Sequence, residues 1–425
     1  MSLLRALYGL SIDAFFALSQ DSLKAKYSEG NDERQGIIPA EKISLLRGER
    51  PLWVHAVSVG EAQAAAPFIK AAREEGYGGK IVLSTTTQTG RAMAERLCSG
   101  LYDFHIYYPW DKTKFVRRAL DSLRPAAFVA AETELWPNML GECRERGVPA
   151  FLVNGRISDR TWRRISGALS KRIAARAYSL FDKILLRDEE DARRLSSIGV
   201  DAAKLHVTGD GKVDALLARK DFSARDEWLE KFGAERPIFM AGSTHAGEDE
   251  KALAAFESLR GALPDARLII APRHPERSDA VCRLIPPKYV FAKLSQLTPE
   301  WDILIVDKIG VLFELYGTAR AAFVGGSFTD DGGQNILEPF SWGVPVQYGP
   351  HMEDFAQASR AFLAMGAADQ VADEKELADA WLRVAAAEEG AKRLELSRRY
   401  FEKSRGASAR AWKIIKNSLA REENR

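Results

Sequence analysis

Ten short apolar runs, each followed by a helix-sized gap, restrict this chain to a small set of folds. The first half contains "LWVHAVSV", "KIVLSTT", "AAFVAAE", "PAFLVN" and "KILLRD"; the second contains "PIFMAGST", "ARLIIAP", "DILIVD", "AAFVGGS" and "VPVQY". A strand that stays apolar along its length is buried on both faces, and such strands belong to parallel sheets covered by helices on each side. The series pauses over 205–228, "LHVTGDGKVDALLARKDFSARDEW", and then restarts. The pattern predicts two doubly wound α/β domains, 1–209 and 210–395, with a charged helical tail, 396–425, that could cross back onto the first. In open parallel sheets ligands sit beyond the carboxyl ends of the strands, so two such domains facing each other would form a cleft.

Composition fits this reading. The chain has 425 residues, enough for two cores, and is 46% hydrophobic and 28% charged. Sixty-one Lys and Arg against fifty-nine Asp and Glu give a formal charge of +2, so attraction to an anionic partner must come from local patches. The three cysteines, Cys98, Cys143 and Cys282, follow no metal-ligand spacing and suit a reduced, cytoplasmic setting. The six histidines form no HExxH pair, and no bound metal or cofactor is expected. At the N-terminus the apolar run 6–18 contains Asp13 and is shorter than the ~20 residues of a spanning helix. Leu3, Leu7, Leu10 and Ala14 share a helical face, with Leu4, Phe15 and Leu18 alongside. That pattern suits a membrane-associating helix within 1–30, or equally a helix packed on its domain.

Polar groups collect where strands end. Gly60 and Glu61 stand between the apolar run 52–59 and a helix from residue 62. Glu132 and Glu134 follow "AAFVAA", where they could equally cap the next helix. In the second half, Ser243, Thr244 and His245 follow one strand, Arg273, His274 and Arg277 another, and "GGSFTDDGGQNILEP" a third. Glycines before a helix let backbone N–H groups approach a phosphate, whose charge the helix N-terminus favours. Three such loops on one sheet predict a nucleotide site, with Glu338 placed to accept from a ribose. No DxD element accompanies them, so Lys212, arginines and helix ends would stabilise a leaving phosphate. Lys112, Lys114, Arg117 and Arg118 form one basic cluster, and Arg156, Arg160, Arg163, Arg164, Lys171, Arg172 and Arg176 another. Such runs are ordinarily a solvated helix face; beside an apolar helix they also describe a surface for anionic lipid. No nucleic-acid signature accompanies them.

The runs "WVHAVSVGE", "LSTTTQTG", "YYPWD", "AETELWPN", "VNGRIS", "AGSTHAGE", "PRHPER", "FVGGS", "GGQNILEP" and "GVPVQYGPH" resemble the 3-deoxy-D-manno-octulosonic acid (Kdo) transferases, in family order, over 53–355. The resemblance implies a GT-B fold, two Rossmann-like domains around a cleft. It also implies inverting transfer of Kdo from CMP-Kdo to a lipid A precursor, at the cytoplasmic face of the bacterial inner membrane. By the same match Glu61 is the catalytic base, and Glu132 and Lys212 stabilise the transition state. Pro272, Arg273, His274, Ile309, Gly310, Val311, Asn335, Ile336, Leu337 and Glu338 contact CMP; Glu134, Arg156 and Arg160 face the acceptor. The chain departs from the family in carrying Gln334 for a usual His, Val311 for a usual acid and Asp210 for a common Asn. Two other readings compete: another GT-B enzyme, such as a UDP-sugar transferase or epimerase, and a non-catalytic nucleotide- or lipid-binding protein.

Overall fold

The computed structural model describes residues 3–233 and 236–423. They form two compact units. The first holds the chain up to Ala215 and again from Ser404; the second runs from Leu216 to Lys403.

The first unit is built on a seven-stranded parallel sheet. Its strands are β1 (Leu52–His55), β2 (Ile81–Thr85), β3 (Phe104–Tyr107), β4 (Ala127–Ala131), β5 (Ala150–Gly155), β6 (Lys183–Leu186) and β7 (Leu205–Val207). Their spatial order is β3-β2-β1-β4-β5-β6-β7. Leu52 pairs with Ile81 on one side and with Ala127 on the other, so β1 and β4 flank the point where the order reverses. Apolar clusters cover both faces of the sheet. One gathers Trp53, Phe128, Met139 and Phe181; the other gathers Val54, Leu83, Val129 and Phe151. The helix Val59–Glu74 presents Ala62, Ala65, Phe68, Ile69 and Ala72 to the second cluster.

The second unit repeats the plan with β8 (Ile238–Thr244), β9 (Arg267–Pro272), β10 (Phe291–Lys293), β11 (Ile303–Ile305), β12 (Ala321–Val324), β13 (Val346–Tyr348) and β14 (Ala368–Gln370). Its order is β10-β11-β9-β8-β12-β13-β14, again all parallel, with β8 and β12 flanking the reversal. Phe239, Phe256, Phe323 and Trp381 fill one face, and Met240, Trp301, Leu304 and Tyr316 the other.

Three boundaries differ from the sequence expectation. The units divide after Ala215 rather than after residue 209, because "GKVDALLA" is a helix, Gly211–Ala218, instead of a linker. The tail is not a single helix over 396–425. Ala387–Ser404 packs on the second unit, the chain turns at Gly406 with φ +78°, and Ala407–Glu423 lies on the first. Asp214 fixes that return by accepting the N–H groups of Gly406 (2.6 Å) and Ser408 (2.8 Å). Trp412 then packs edge-on to Phe68 and Tyr77. Finally, β1 stops at His55 and its helix begins at Val59, so Glu61 stands inside the helix rather than before it.

The N-terminal helix spans Leu3–Lys26. It is held to the first unit by polar groups. Arg5 pairs with Glu142 and Glu145, Asp13 with Lys112 (3.1 Å), and Tyr8 hydrogen-bonds Asp111. Phe16 packs on Trp110 and Phe115, but four other apolar side chains point outward: Leu7, Leu10, Phe15 and Leu18 are 54%, 66%, 51% and 89% exposed. The side chains of Leu3 and Leu4 lie outside the described residues. Among the described residues no helix is long and apolar enough to cross a membrane.

Candidate active site

Four segments of the first unit bring their polar groups to the carboxyl edge of the sheet at the strand-order reversal. Glu61 comes from the helix after β1. It is the third helical residue, buried, and its Oε2 accepts the N–H (2.9 Å) and hydroxyl (3.3 Å) of the N-cap residue Ser58. A glutamate at this position commonly reaches back in this way, which fixes its rotamer against the helix end.

Glu132 follows β4 with φ +59°, a left-handed conformation that costs a non-glycine residue about 1–3 kcal/mol and recurs at functional sites. The twist turns its carboxylate onto Lys212. The Nζ–Oε1 distance is 2.5 Å, and Asn154 Nδ2 donates to the same oxygen at 3.4 Å. Asn154, the penultimate residue of β5, also has a positive φ (+53°), and its Oδ1 accepts the Gly211 N–H at 2.8 Å, at the start of the helix that carries Lys212. Lys212 also approaches the first carboxylate's segment, since its Nζ lies 3.9 Å from where a Gly60 Cβ would stand. Glu134, on the turn after β4, lies close enough to feel the charge of Glu61. Burial, and next the charge of Glu61, push the Glu134 carboxyl up to about 9, so it holds a proton at neutral pH. Beneath them His55 stacks on Tyr108 with ring centres 3.7 Å apart. Burial pushes its imidazole down to about 3 and keeps it neutral.

Glu61, Glu132, Glu134 and Lys212 are thus gathered in one unit. Arg156 directly follows β5, and its N–H donates to the Glu132 carbonyl at 3.3 Å. Arg160 lies farther along, exposed in the helix Asp159–Ile165. Sequence reasoning passed over Asn154. The available signal was an Asn-Gly pair closing a buried strand, where asparagine tolerates the left-handed backbone.

In the second unit the expected nucleotide-binding residues lie at the carboxyl ends of neighbouring strands. Pro272 ends β9, with Arg273 and His274 exposed beyond it. Ile309, 87% exposed, and Gly310, with φ +90°, lead to Val311 ahead of the helix Leu312–Tyr316. Asn335 caps the Leu337 N–H at 3.1 Å. Ile336 is fully buried, which leaves no part of it exposed to a ligand in this structure. Glu338 is the second residue of the helix Leu337–Ser341, not a full turn in, and pairs with Arg219 at 3.1 Å. Arg277 is committed to the fold through Asp249, which also accepts from Thr244 Oγ1 at 2.5 Å.

Glu248 was absent from the sequence reading, yet it organises this edge. Its carboxylate is buried and accepts four backbone N–H groups, from His245, Gly326, Ser327 and Phe328. It ties the loop after β8 to the loop after β12. The fit requires glycine at 325, where a Cβ would stand 2.5 Å from the Ser243 carbonyl. The three cysteines are free thiols, and among the described residues no His, Cys, Asp or Glu side chains cluster as metal ligands would.

Residues 29–215 match the family model described as 3-deoxy-D-manno-octulosonic-acid transferase (kdotransferase). The 3-deoxy-D-manno-octulosonic acid transferase of Bordetella pertussis is 35% identical over 374 residues, covering 85% of this chain and 83% of that one. The enzyme of the same name from Haemophilus influenzae is 34% identical over 322 residues, covering 73% of each. Among solved structures, UDP-GlcNAc 2-epimerase from Neisseria meningitidis superposes with a TM-score of 0.60 over 87% of this chain and 100% of that one. At 14% identity the likeness speaks for the GT-B fold alone. Two parallel Rossmann-like sheets and kinship over most of the chain make this glycosyltransferase a member of the 3-deoxy-D-manno-octulosonic acid transferase family.

Proposed function

We propose that the chain moves Kdo from CMP-Kdo to a lipid A precursor, with inversion at the anomeric carbon and without a metal ion. One observation carries this reading. At the strand-order reversal of the first unit, Glu61 sits on a rigid helix end beside the Lys212–Glu132 pair. An inverting transfer needs a base for the acceptor hydroxyl, and general-base catalysis contributes about 10²–10⁴-fold. Lys212, its ammonium held by Glu132, would supply positive charge to the departing phosphate. Arg273, His274 and the backbone of 309–311, 335, 337 and 338 would hold CMP on the second unit, and Arg156 and Arg160 would meet the acceptor.

The reading extends to an anionic membrane surface, the cytoplasmic face of the inner membrane. The N-terminal helix supports it by turning Leu7, Leu10, Phe15 and Leu18 outward while its polar side is tied down. Beside it lies a hollow of about 400 Å³ lined by Asp13, Lys112, Thr113, Lys114 and Arg117. In the helix Ala168–Tyr178, Leu169 and Ile173 are 73% and 44% exposed among Lys171, Arg172 and Arg176. Apolar side chains ringed by cations suit a lipid interface.

The test is mass spectrometry of the product made from CMP-Kdo and a tetraacylated lipid A precursor, which reports both identity and number of sugars. Glu61→Ala should fold, bind CMP and give no product; normal turnover would end the proposal. The fold likeness to an epimerase keeps a UDP-sugar reading in view. Heat stabilisation by UDP and not by CMP would favour it.

A further inference from the structure

Glu132 and Asn154 are neighbours on adjacent strands. Ala131 pairs with Val153 in the parallel ladder of β4 and β5, and each chain then takes one more step, to Glu132 and to Asn154. Both residues are left-handed there, at φ +59° and +53°, and the pairing of β5 with β6 slips between Leu152 and Gly155. Slips of this kind re-aim a side chain and recur beside active sites. The side chain re-aimed here is Asn154. It is 5% exposed, and its carboxamide lies between Glu132 and the residue that precedes Lys212.

The two ends of that carboxamide have different partners. The Gly211 N–H is a donor, so the atom facing it at 2.8 Å is the oxygen, and the nitrogen is thereby turned to Glu132 Oε1 at 3.4 Å. The oxygen seats the first residue of the helix Gly211–Ala218, and Asp210 Oδ1 seats the second by accepting the Lys212 N–H at 2.9 Å. The root of the lysine side chain is thus fixed. Its tip is fixed through Glu132, whose Oε1 takes both the ammonium (2.5 Å) and the Asn154 amide. A lysine needs holding at both ends, because its ammonium is a point charge on a flexible four-carbon stem, and Lys212 is 33% exposed. The backbone alone does not call for asparagine, since glycine adopts the same left-handed conformation without strain.

We propose that Asn154 is the positioning residue of Lys212: one carboxamide holds the root of the lysine and, through Glu132, its ammonium, and so keeps the positive charge in place for the departing phosphate. This deepens the proposed role of Lys212 and rests on it. In the transfer step the acceptor oxygen bonds to the sugar's anomeric carbon, and its hydroxyl proton passes to Glu61. The bond from that carbon to the phosphate oxygen breaks, its electron pair leaving with the nucleotide monophosphate. Asn154 exchanges no proton and touches no reacting atom. It fixes where the ammonium stands before the charge develops, and stabilisation of this kind depends on groups already in place.

Asn154→Gly and Asn154→Asp, each alone and again combined with Lys212→Ala in the full-length chain, test this through kcat and KM with CMP-Kdo and the tetraacylated acceptor, well below the unfolding midpoint. Asn154→Gly keeps the left-handed backbone and removes both bonds. It should lower kcat about 10–100-fold with the KM for CMP-Kdo changed by less than about twofold, since aim rather than binding is lost. Asn154→Asp has nearly the same shape and keeps the bond to the Gly211 N–H, but sets oxygen against oxygen at Glu132, and it should lose kcat by at least 10-fold. Beside Lys212→Ala, either change at 154 should alter kcat by less than about twofold, because a residue that acts through Lys212 has nothing left to position. A merely structural asparagine would instead cost the same factor in both backgrounds. That result, or unchanged kcat in Asn154→Gly, overturns the assignment. If Asn154→Gly does not fold, Asn154→Asp decides by the same comparison. Full turnover by Lys212→Ala alone would remove Lys212 from the reaction and this inference with it, a failure of the proposed function that is read before any change at 154.

Discussion

Replacing Glu248 with glutamine exchanges one oxygen for an amide nitrogen, and the geometry predicts a large loss of stability in the second unit. The side chain is fully buried. Oε1 accepts from Ser327 (2.9 Å) and Phe328 (2.8 Å), and Oε2 from His245 (2.8 Å) and Gly326 (2.7 Å). Glutamine offers one acceptor oxygen, which can serve two of these donors. Its amide nitrogen then confronts the other two N–H groups, donor against donor. Each buried N–H left without an acceptor costs about 1–3 kcal/mol, so Glu248→Gln should lose about 2–6 kcal/mol. In a unit of this size 1 kcal/mol lowers Tm by about 2–4 °C, so a loss of about 4 kcal/mol corresponds to a fall of about 8–16 °C. Because the orphaned groups belong to the loops after β8 and β12, CMP affinity should fall along with stability. Calorimetry in denaturation and in CMP titration reads both. Glu257→Gln is the control. Glu257 pairs with Lys288 on the exposed face of the same helix, and such pairs are worth at most about 1 kcal/mol. A Glu248→Gln protein within about 0.5 kcal/mol of the parent would refute the reasoning, because it would mean that these loops do not depend on the carboxylate.

Two further outcomes follow. The His55 imidazole is depressed from 6.5 to about 3 by burial, so its stabilising effect is complete above pH 6.5 and is lost as pH falls toward 3. Urea unfolding of His55→Phe from pH 8 to pH 4 should therefore gain on the parent by about 1.4 kcal/mol per pH unit below pH 6.5, and parallel profiles would contradict this. Leu10→Asp with Leu18→Asp, at positions 66% and 89% exposed, should leave the unfolding midpoint unchanged. At roughly 1.5 kcal/mol per leucine, the pair should weaken flotation with anionic vesicles by about 10²-fold; undiminished flotation would show that the helix does not dock.

The ten runs picked out from the sequence are the inner strands of the two sheets, and the four strands it missed are the edges, β3, β7, β10 and β14. The reason is physical. An inner strand is covered on both faces and paired on both sides, so its sequence is apolar throughout: β1, β4 and β9 are buried at every position. Edge strands are short, and three of these four are partly wet. "LHV", "FAK" and "ADQ" mix burial classes, and "FHIY" carries His105. Continuous hydrophobicity cannot report them. The helix Gly211–Ala218 was read as a pause for a related reason. At eight residues, starting from "GDGK", it has turn composition where it begins.

The site was legible unevenly, and Glu61 shows why. A glutamate at the third helical position satisfies the backbone N–H of the N-cap, so the local needs of a helix explain it completely, and Ser58 does donate to it. What would separate a structural carboxylate from the base proposed at Glu61 is a neighbour that local rules do not supply, and here the Lys212–Glu132 pair, brought to the same sheet edge from other strands, is such a neighbour. Glu248 is the mirror case. It opens a helix just as Glu61 does, but its four donors leave both oxygens saturated, with none to spare for a proton in transit. Two glutamates in the first turn of a helix, each after the first strand of its sheet, are alike in sequence and opposite in what they can do. The difference lies in how many hydrogen bonds the fold brings to each carboxylate. That count depends on loops from distant strands, so it becomes visible only when the chain is folded.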